Sequence, residues 1–130
     1  MEKREVIVQF AADSRKIEIN MDPYTIVADG GDRTEPSPGT LFLAGLMACT
    51  ASTARGYCFR NNLPLPVGLK ATVNFDDDEH LVDHIEMDLL IPPEFPRDHV
   101  EALERAAGKC AVKKWWMNPP EFFLRTSDSA

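Results

Sequence analysis

Apolar and polar residues alternate along the first thirty residues and again between residues 67 and 91. A period of two is typical of strands in half-buried sheets, because successive side chains of a strand point to opposite faces. The alternation predicts five strands, at 6–10, 16–21, 24–28, 67–75 and 85–91. Turn-forming residues separate the first three strands, which indicates a meander, and the last two form a hairpin.

The longest apolar segment, 41–54, lacks this alternation, because every residue in it is apolar, small or a hydroxyl amino acid. Ser37 and Pro38 are favoured at the N-cap and the first position of a helix, so the pattern predicts a helix from there to about Arg60. A helix that is apolar on most of its circumference is buried. The apolar stretch is shorter than the roughly 20 residues of a membrane span, so we expect a core helix.

Three shorter elements follow the hairpin. Residues 98–108 form an amphipathic helix pattern that ends at a glycine, Cys110 opens a short helix that continues to Met117, and 121–125 has the composition of a closing strand. Strands, one long helix, a hairpin and two shorter helices predict an α+β fold. With 130 residues the chain fits a single domain, 1–130.

The net charge of -7 would repel a phosphate backbone, so nucleic acid is not an expected partner. The N-terminus has no long apolar region followed by a small-residue cleavage site, which favours a cytoplasmic protein that is not exported. The chain has three cysteines, and an odd number without an export signal favours reduced thiols over a disulfide framework.

The cysteines are the residues with the clearest chemical potential. Cys49 lies within the most apolar helix, where composition favours a packing role. Cys110 is predicted at a helix start near Lys109 and Lys113, and such surroundings lower a thiol pKa. From the spacing alone, however, a reactive thiol and an ordinary helix-start residue are about equally favoured. For Cys58, beside two aromatic residues, a packing role is favoured.

Other chemistries have less support. His80 and His84 lie four residues apart beside an acidic run, but the stretch alternates as a strand does, so a solvated turn is favoured over a metal site. No serine of the chain lies in a Gly-x-Ser-x-Gly motif, which leaves a serine hydrolase without support. We therefore expect no metal site at these histidines.

Two segments resemble the OsmC/Ohr family of hydroperoxide reductases. Segment 26–50 has the family's glycine-rich loop, a Pro-x-x-Leu helix start at Pro38 and a small-residue run that ends in Cys49. The later Gly-Lys-Cys-Ala-Val around Cys110 is similar to the region of the family's second cysteine. The order of elements matches over nearly the whole chain, and the loop with Asp-Gly and Pro-Ser-Pro is similar to a short branch of the family.

This resemblance implies an intertwined homodimer in which antiparallel sheets wrap around long buried helices, with two active sites at the dimer interface. It implies a stress-response peroxidase in which the Cys49 thiolate attacks an organic hydroperoxide and becomes a sulfenic acid. Cys110 then forms a disulfide with Cys49. A dithiol, in the family commonly a lipoylated protein, reduces it again, and no metal or organic cofactor takes part.

The chain departs from the family at one point. Family peroxidases place a glutamate nine or ten residues before the first cysteine, where it orients an arginine, and here Thr40 and Gly39 occupy those positions. Arg33 or Arg15 is expected to supply the positive charge. Five residues are candidates for an apolar wall that binds the substrate: Phe42, Leu46, Met47, Trp115 and Trp116.

Two other functions stay open from the sequence. One is a relative without peroxidase activity that binds a small apolar or thiol-containing ligand in the same pocket, which the missing glutamate favours. The other is a dimeric scaffold without a ligand. The two cysteines favour the peroxidase.

Overall fold

The computed structural model describes residues 3–12, 14–31, 33–76 and 81–128. These residues form two compact units, and the division falls within the long helix, after Gly45. The single domain expected for 1–130 stays a prediction, and each unit is described by itself.

The first unit contains a three-stranded antiparallel sheet in the order β1-β2-β3. Its strands are β1 (Ile7–Phe10), β2 (Lys16–Met21) and β3 (Tyr24–Asp29). The meander predicted from the alternation is confirmed, with β1 starting one residue later and β3 ending one residue later than expected. Among the described residues of this unit, Ala28 and Asp29 at the end of β3 are buried.

The long helix α1 spans Pro38–Arg60, as the sequence predicts. Ser37 caps it, because its Oγ accepts a hydrogen bond from the Thr40 amide at 3.1 Å and satisfies a donor that has no partner within the helix. The buried residues of α1 are spaced by four and so follow one stripe: Leu46, Thr50, Ala54 and Cys58. Within this chain the helix is therefore covered on one side, while Phe59 is 77% exposed.

The second unit contains the predicted hairpin. Strands β4 (Gly68–Phe75) and β5 (Val82–Leu90) are antiparallel, and the register pairs Leu69 with Leu89, Ala71 with Met87 and Val73 with Ile85. These pairs bring the predicted apolar positions of both arms opposite one another, as the alternation requires. Beyond Asp76, the predicted tip with His80 lies outside the described residues.

The predicted C-terminal helices are present. A 3-10 turn at Arg97–His99 leads into α2 (Val100–Ala107), and α3 (Ala111–Met117) follows after three residues. The closing strand expected at 121–125 was wrong, because residues 118–128 form no strand. A strand needs a neighbouring edge for its amide and carbonyl groups, and no described strand of this chain pairs with this segment.

The core of the second unit lies between the C-terminal half of α1 and α2. It consists of buried small and large apolar residues: Ala54, Cys58, Phe95, Leu103 and Ala107. Phe95 comes from the proline-rich loop before α2, where its amide donates to the Pro92 carbonyl at 3.0 Å and its side chain is 2% exposed. This cluster fixes α2 against α1 and thereby positions the start of α3.

Candidate active site

Cys110 is the N-cap residue of α3, and its backbone is extended where the helix begins. Its Sγ accepts a hydrogen bond from the Lys113 amide at 3.4 Å, in the way that a serine or threonine side chain caps a helix. The side chain is 1% exposed. The sulfur is therefore held inside the protein by a backbone donor of its own helix.

Helix α1 supplies two further groups to this sulfur. The Thr50 hydroxyl lies 3.5 Å from Cys110 Sγ, and Cys49, the residue directly before Thr50, contributes to the lowered pKa of Cys110. Thr50 is buried and also donates to the Leu46 carbonyl at 3.0 Å, a bond to the preceding turn that hydroxyl residues form within helices. The fold thus brings Cys49 and Cys110 together, although 60 residues separate them in the sequence.

Burial raises the pKa of the Cys110 thiol, but the opposing interactions are stronger. Hydrogen bonds from Thr50, from the Lys113 amide and from Cys49, together with the Lys113 charge, hold the pKa of Cys110 below its ordinary value. A thiol with a lowered pKa is more often present as the thiolate, which is the form that attacks and forms disulfides. Cys49 is half-buried and Cys110 is buried, so Cys49 is the more accessible sulfur of the pair.

An apolar pocket of about 320 Å³ lies beside α3 in the same unit. Its lining combines the polar residues Asp83, His84 and Lys113 with six apolar ones: Leu46 of α1, Val82, Ile85 and Met87 of β5, and Trp116 and Met117 of α3. Lys113 thus contributes both to this pocket and, through its amide, to the Cys110 sulfur. The pocket is in the size range of sites that bind small molecules.

Of the five predicted wall residues, Leu46 and Trp116 line this pocket. Met47 is half-buried and Trp115 is 66% exposed, and neither lines it. Phe42 belongs to the first unit. Binding roles for Phe42, Met47 and Trp115 stay predictions.

Comparison with known proteins gives the family. A model of the OsmC-like protein family matches residues 30–124. The chain belongs to the OsmC-like family. The match includes both Cys49 and Cys110 and begins in the glycine-rich loop. A search of the curated proteins found no match.

Solved structures of OsmC-like proteins share the fold. The OsmC-like protein of Mycoplasma pneumoniae superposes with a TM-score of 0.73 at 15% identity, covering 91% of this chain and 89% of that chain. The organic hydroperoxide resistance protein OhrB of Bacillus subtilis gives a TM-score of 0.54 at 17% identity, covering 88% and 90%. A Psychrobacter arcticus protein described as a putative osmotic stress induced and detoxification response protein superposes with a TM-score of 0.66 at 16% identity. The match covers 88% of this chain and 87% of that chain. These similarities confirm the α+β fold with antiparallel sheets and a long helix.

The two arginines predicted for the site of this OsmC-like protein belong to its first unit. Arg15 precedes β2, and its guanidinium occupies the space that a side chain on Gly31 would need, at a residue whose φ of +154° already favours glycine. Arg33 lies in the following loop with a φ of 60°. Their roles at the thiols stay predictions.

The sequence interpretation missed Asp29, which organises the loop before α1 in this OsmC-like protein. The Asp29 carboxylate is buried and accepts hydrogen bonds from the Gly31 amide at 2.6 Å and from the Thr34 amide and hydroxyl at 2.6 and 2.9 Å. An aspartate directly before Gly-Gly was a usable indication, because aspartate side chains often bond to backbone amides two residues later.

Thr50 was the second functional residue missed. It follows Cys49 directly, and a hydroxyl beside a candidate thiol was the available indication. In the part of the chain that the structure describes, no cluster of three or more residues could hold a metal ion, and His80 lies outside that part. The described helices include none that is both long and apolar enough to cross a membrane.

Proposed function

We infer that this OsmC-like protein reduces organic hydroperoxides with Cys49 and Cys110 as its redox pair. The observation that carries this proposal is that the Cys110 sulfur lies 3.5 Å from the hydroxyl of Thr50, the residue directly after Cys49, in surroundings that lower the pKa of Cys110. Because Cys49 directly precedes Thr50 in α1, we expect a local rearrangement to be enough for a disulfide between Cys49 and Cys110. The similarity to an organic hydroperoxide resistance protein adds support at the level of the fold.

The reaction proceeds in three steps that suit these residues. Cys49 attacks the terminal oxygen of the hydroperoxide and becomes a sulfenic acid, while the O–O bond breaks and the alkoxide takes up a proton and leaves as the alcohol. Cys110 displaces water from the sulfenic acid and forms the Cys49–Cys110 disulfide. An external dithiol, such as a lipoylated protein, reduces the disulfide and restores both thiols.

The pocket beside α3 supports an organic rather than an inorganic peroxide. Its lining by Leu46, Met87 and Trp116 offers an apolar surface to an alkyl or aryl group. Hydrogen peroxide has no apolar part that such a lining could bind. The alkyl group would occupy this pocket, whose lining residue Leu46 lies three residues before Cys49 in α1.

The remaining parts of the proposal come from the sequence. Arg33 or Arg15 supplies positive charge to the attacking sulfur, and the protein acts in the cytoplasm, where thiols stay reduced.

The proposed functional form is a homodimer. Phe122, Phe123 and Leu124 are 86%, 89% and 99% exposed within this chain, and large contiguous apolar surfaces mark interaction sites. One side of α1 also presents apolar residues that the chain itself leaves uncovered. A second copy would cover both. Sedimentation analysis giving the mass of one chain would contradict this part of the proposal.

Thiol titration tests the chemistry. The reduced protein has three free thiols per chain, and one equivalent of cumene hydroperoxide should remove two of them rapidly. The loss should disappear in Cys49→Ser. It should persist in the control Cys58→Ser, because the Cys58 thiol of the wild type lies in the apolar core and takes no part in the reaction. Unchanged thiols in the wild-type protein would contradict the peroxidase.

A second candidate function is binding of a small apolar or thiol-containing ligand without turnover. The residues at positions 39 and 40 favour it, because Gly39 has no side chain and the Thr40 hydroxyl is 2.9 Å from Ser37 Oγ at the helix cap. Neither residue offers the carboxylate of the family's peroxidases. This function predicts that cumene hydroperoxide leaves the number of free thiols unchanged. It also predicts that an apolar ligand quenches tryptophan fluorescence to saturation. Leu46→Trp, which fills the pocket, should abolish this quenching.

A further inference from the structure

Lys113 occupies the third position of α3, counted from the N-cap residue Cys110. This position favours glutamate or glutamine, whose side chains reach back to the start of the helix. A cation in the first turn is unfavourable, because the amide end of a helix carries partial positive charge. The first turn of α3 contains no acidic residue that would compensate. Lys113 therefore departs from the local preference, and such departures are expected at functional sites.

The Lys113 side chain runs back towards the start of α3, as helix side chains do because their Cβ atoms tilt towards the N-terminus. Its Nζ is 3.8 Å from the position that a Cβ on Gly108, two residues before Cys110, would occupy. The Lys113 amide donates to Cys110 Sγ at 3.4 Å. The charge of Lys113 also contributes to the lowered pKa of Cys110. The ammonium therefore lies close enough to the thiol site to act on charges that form there.

Lys113 is also part of the wall of the apolar pocket of about 320 Å³. The same wall contains Leu46 of α1, and Cys49 follows Leu46 by three residues. Residues three apart are neighbours on a helix surface, with about 5–6 Å between their Cβ atoms. The pocket thus has a cation in its wall, and the turn of α1 that carries Cys49 lies beside it.

The two other polar residues of the pocket wall bond to each other. His84 Nδ1 is 2.8 Å from Asp83 Oδ2, and His84 Nε2 is 2.9 Å from Asn74 Nδ2. An amide nitrogen only donates, so His84 accepts at Nε2 and donates from Nδ1 to Asp83. Among the residues that the structure describes, Lys113 forms no ion pair with a carboxylate. Its ammonium is therefore available to a molecule in the pocket.

We propose that Lys113 is a catalytic residue of the peroxide reduction, whose ammonium binds the leaving oxygen and protonates it as the O–O bond breaks. The proposal rests on the proposed function and adds to it the residue that acts on the leaving group. The role expected of Arg33 or Arg15 is different, because it concerns the attacking sulfur. Lys113 would supply a cation from α3 in a chain that has Gly39 and Thr40 where family peroxidases have a glutamate.

Protons and electrons balance in this step. The Cys49 thiolate bonds to the terminal oxygen, which keeps its hydrogen, so that Cys49 becomes a sulfenic acid. The electron pair of the O–O bond goes to the oxygen that carries the organic group. The Lys113 ammonium gives a proton to this oxygen, and the alcohol leaves. The neutral Lys113 amine then takes a proton from solvent, because its ordinary pKa is about 10.4.

Alcohol release in a single turnover tests the proposal. The reduced protein is mixed with cumene hydroperoxide at pH 7 without a reductant, and cumyl alcohol is quantified by rapid quenching and chromatography. This readout follows the breaking of the O–O bond and does not depend on the later disulfide. Lys113→Met keeps an unbranched side chain and removes the charge. It should slow alcohol release about 100-fold, at the lower end of what a general acid contributes, because Lys113 is exposed to water.

A second peroxide separates proton donation from packing. Perbenzoic acid carries an aromatic ring, as cumene hydroperoxide does, but its leaving group is benzoate, and a carboxylate needs no proton at pH 7. Lys113→Met should therefore slow the single-turnover release of benzoate by less than about tenfold. A purely structural role of Lys113 would slow the reactions with both peroxides equally.

Two further variants provide the comparison. Lys114→Met removes the same charge from the next residue, which lies in the last turn of α3 and outside the pocket wall, and it should leave both rates unchanged. Lys113→Arg keeps a cationic donor and should release the alcohol at least about tenfold faster than Lys113→Met. Loss of a cation from the first turn does not weaken a helix, so Lys113→Met should fold. If urea denaturation shows that it does not, Lys113→Gln replaces it in both measurements.

The outcomes distinguish this proposal from the proposed function. Equal alcohol release by the wild type and Lys113→Met, or equal losses with both peroxides, would overturn the role of Lys113 and leave the peroxidase intact. Alcohol release by Lys113→Arg that is as slow as that of Lys113→Met would also overturn it, because the charge would then not be the acting feature. A wild-type protein that releases no alcohol from cumene hydroperoxide would contradict the proposed function itself, together with the step assigned to Lys113.

Discussion

Cys58 and Cys110 are both buried in the second unit, but their pKa values shift in opposite directions. Cys58 is 0% exposed and Cys110 is 1% exposed, so the two thiols are equally removed from water. Burial raises the pKa of Cys58. It also acts on Cys110, but there the hydrogen bonds and the Lys113 charge reverse its effect and lower the pKa.

The difference lies in the neighbours that each sulfur has. Cys58 packs in a cluster with Ala54, Phe95 and Leu103, whose side chains have no donors. Cys110 has a backbone amide, a hydroxyl and a second thiol around it. Burial sets the cost of a charge, and the nearby donors decide whether the charge forms despite that cost. Reactivity of a cysteine in this protein therefore cannot be inferred from exposure alone.

The largest expected effect comes from opening the Cys58 cluster. Phe95→Ala removes a side chain that is 2% exposed and should lower the free energy of unfolding by about 3–5 kcal/mol, through lost burial and the cavity left behind. Urea denaturation at one fixed chain concentration measures it. The control Phe75→Ala removes the same side chain where it is 58% exposed, and it should cost clearly less. Equal losses would show that the cluster is not the core of this unit.

The second prediction places the same substitution at both cysteines. Cys58→Ser puts a hydroxyl into an apolar cluster and should cost about 1–3 kcal/mol of stability. Cys110→Ser should cost under about 1 kcal/mol, because serine is a favoured N-cap residue and can keep the bonds to the Lys113 amide and Thr50. Urea denaturation of both reduced variants tests the difference. A larger loss for Cys110→Ser would mean that the two environments have been assigned the wrong way round.

Much of the fold could be predicted because its determinants are local. The alternation in 67–75 and 85–91 predicts a hairpin, and the register pairs apolar residues such as Val73 and Ile85. Ser37 and Pro38 predict the start of α1. The strand expected at 121–125 failed because a strand also requires an edge to pair with, and sequence composition carries no information about that edge.

The candidate site was less predictable because its contacts are not local. Gly108 ends the preceding helix and thereby predicts that Cys110 lies at the start of the next one. The sequence left open whether Cys110 has a lowered pKa or is an ordinary cysteine. Thr50 acquires its role only because α3 packs beside α1 and carries a sulfur to within 3.5 Å of its hydroxyl. The burial of Phe95 is equally non-local, because its short segment between prolines has no periodicity that indicates an inward side chain.

The smallest expected effect is a pH dependence of stability with opposite sign at the two cysteines. The lowered pKa of Cys110 in the folded state means that the thiolate stabilises the fold, fully above the unfolded pKa of about 8.5 and not at all below the folded pKa. The raised pKa of Cys58 has the reverse consequence, so its neutral thiol stabilises the fold below about pH 8.5, and this contribution disappears as pH rises towards the folded pKa.

Differences between variants isolate these contributions, because the other titrating groups cancel. The stability of the reduced wild type relative to Cys110→Ser should increase as pH rises from 6 to about 8.5. Relative to Cys58→Ser it should be constant over that range and decrease at higher pH. Urea denaturation at half-unit pH intervals under a non-thiol reductant gives both curves. Two curves with the same slope would mean that the hydrogen-bond donors around Cys110 do not outweigh its burial. The two thiols would then differ in their packing but not in the direction of their pKa shifts.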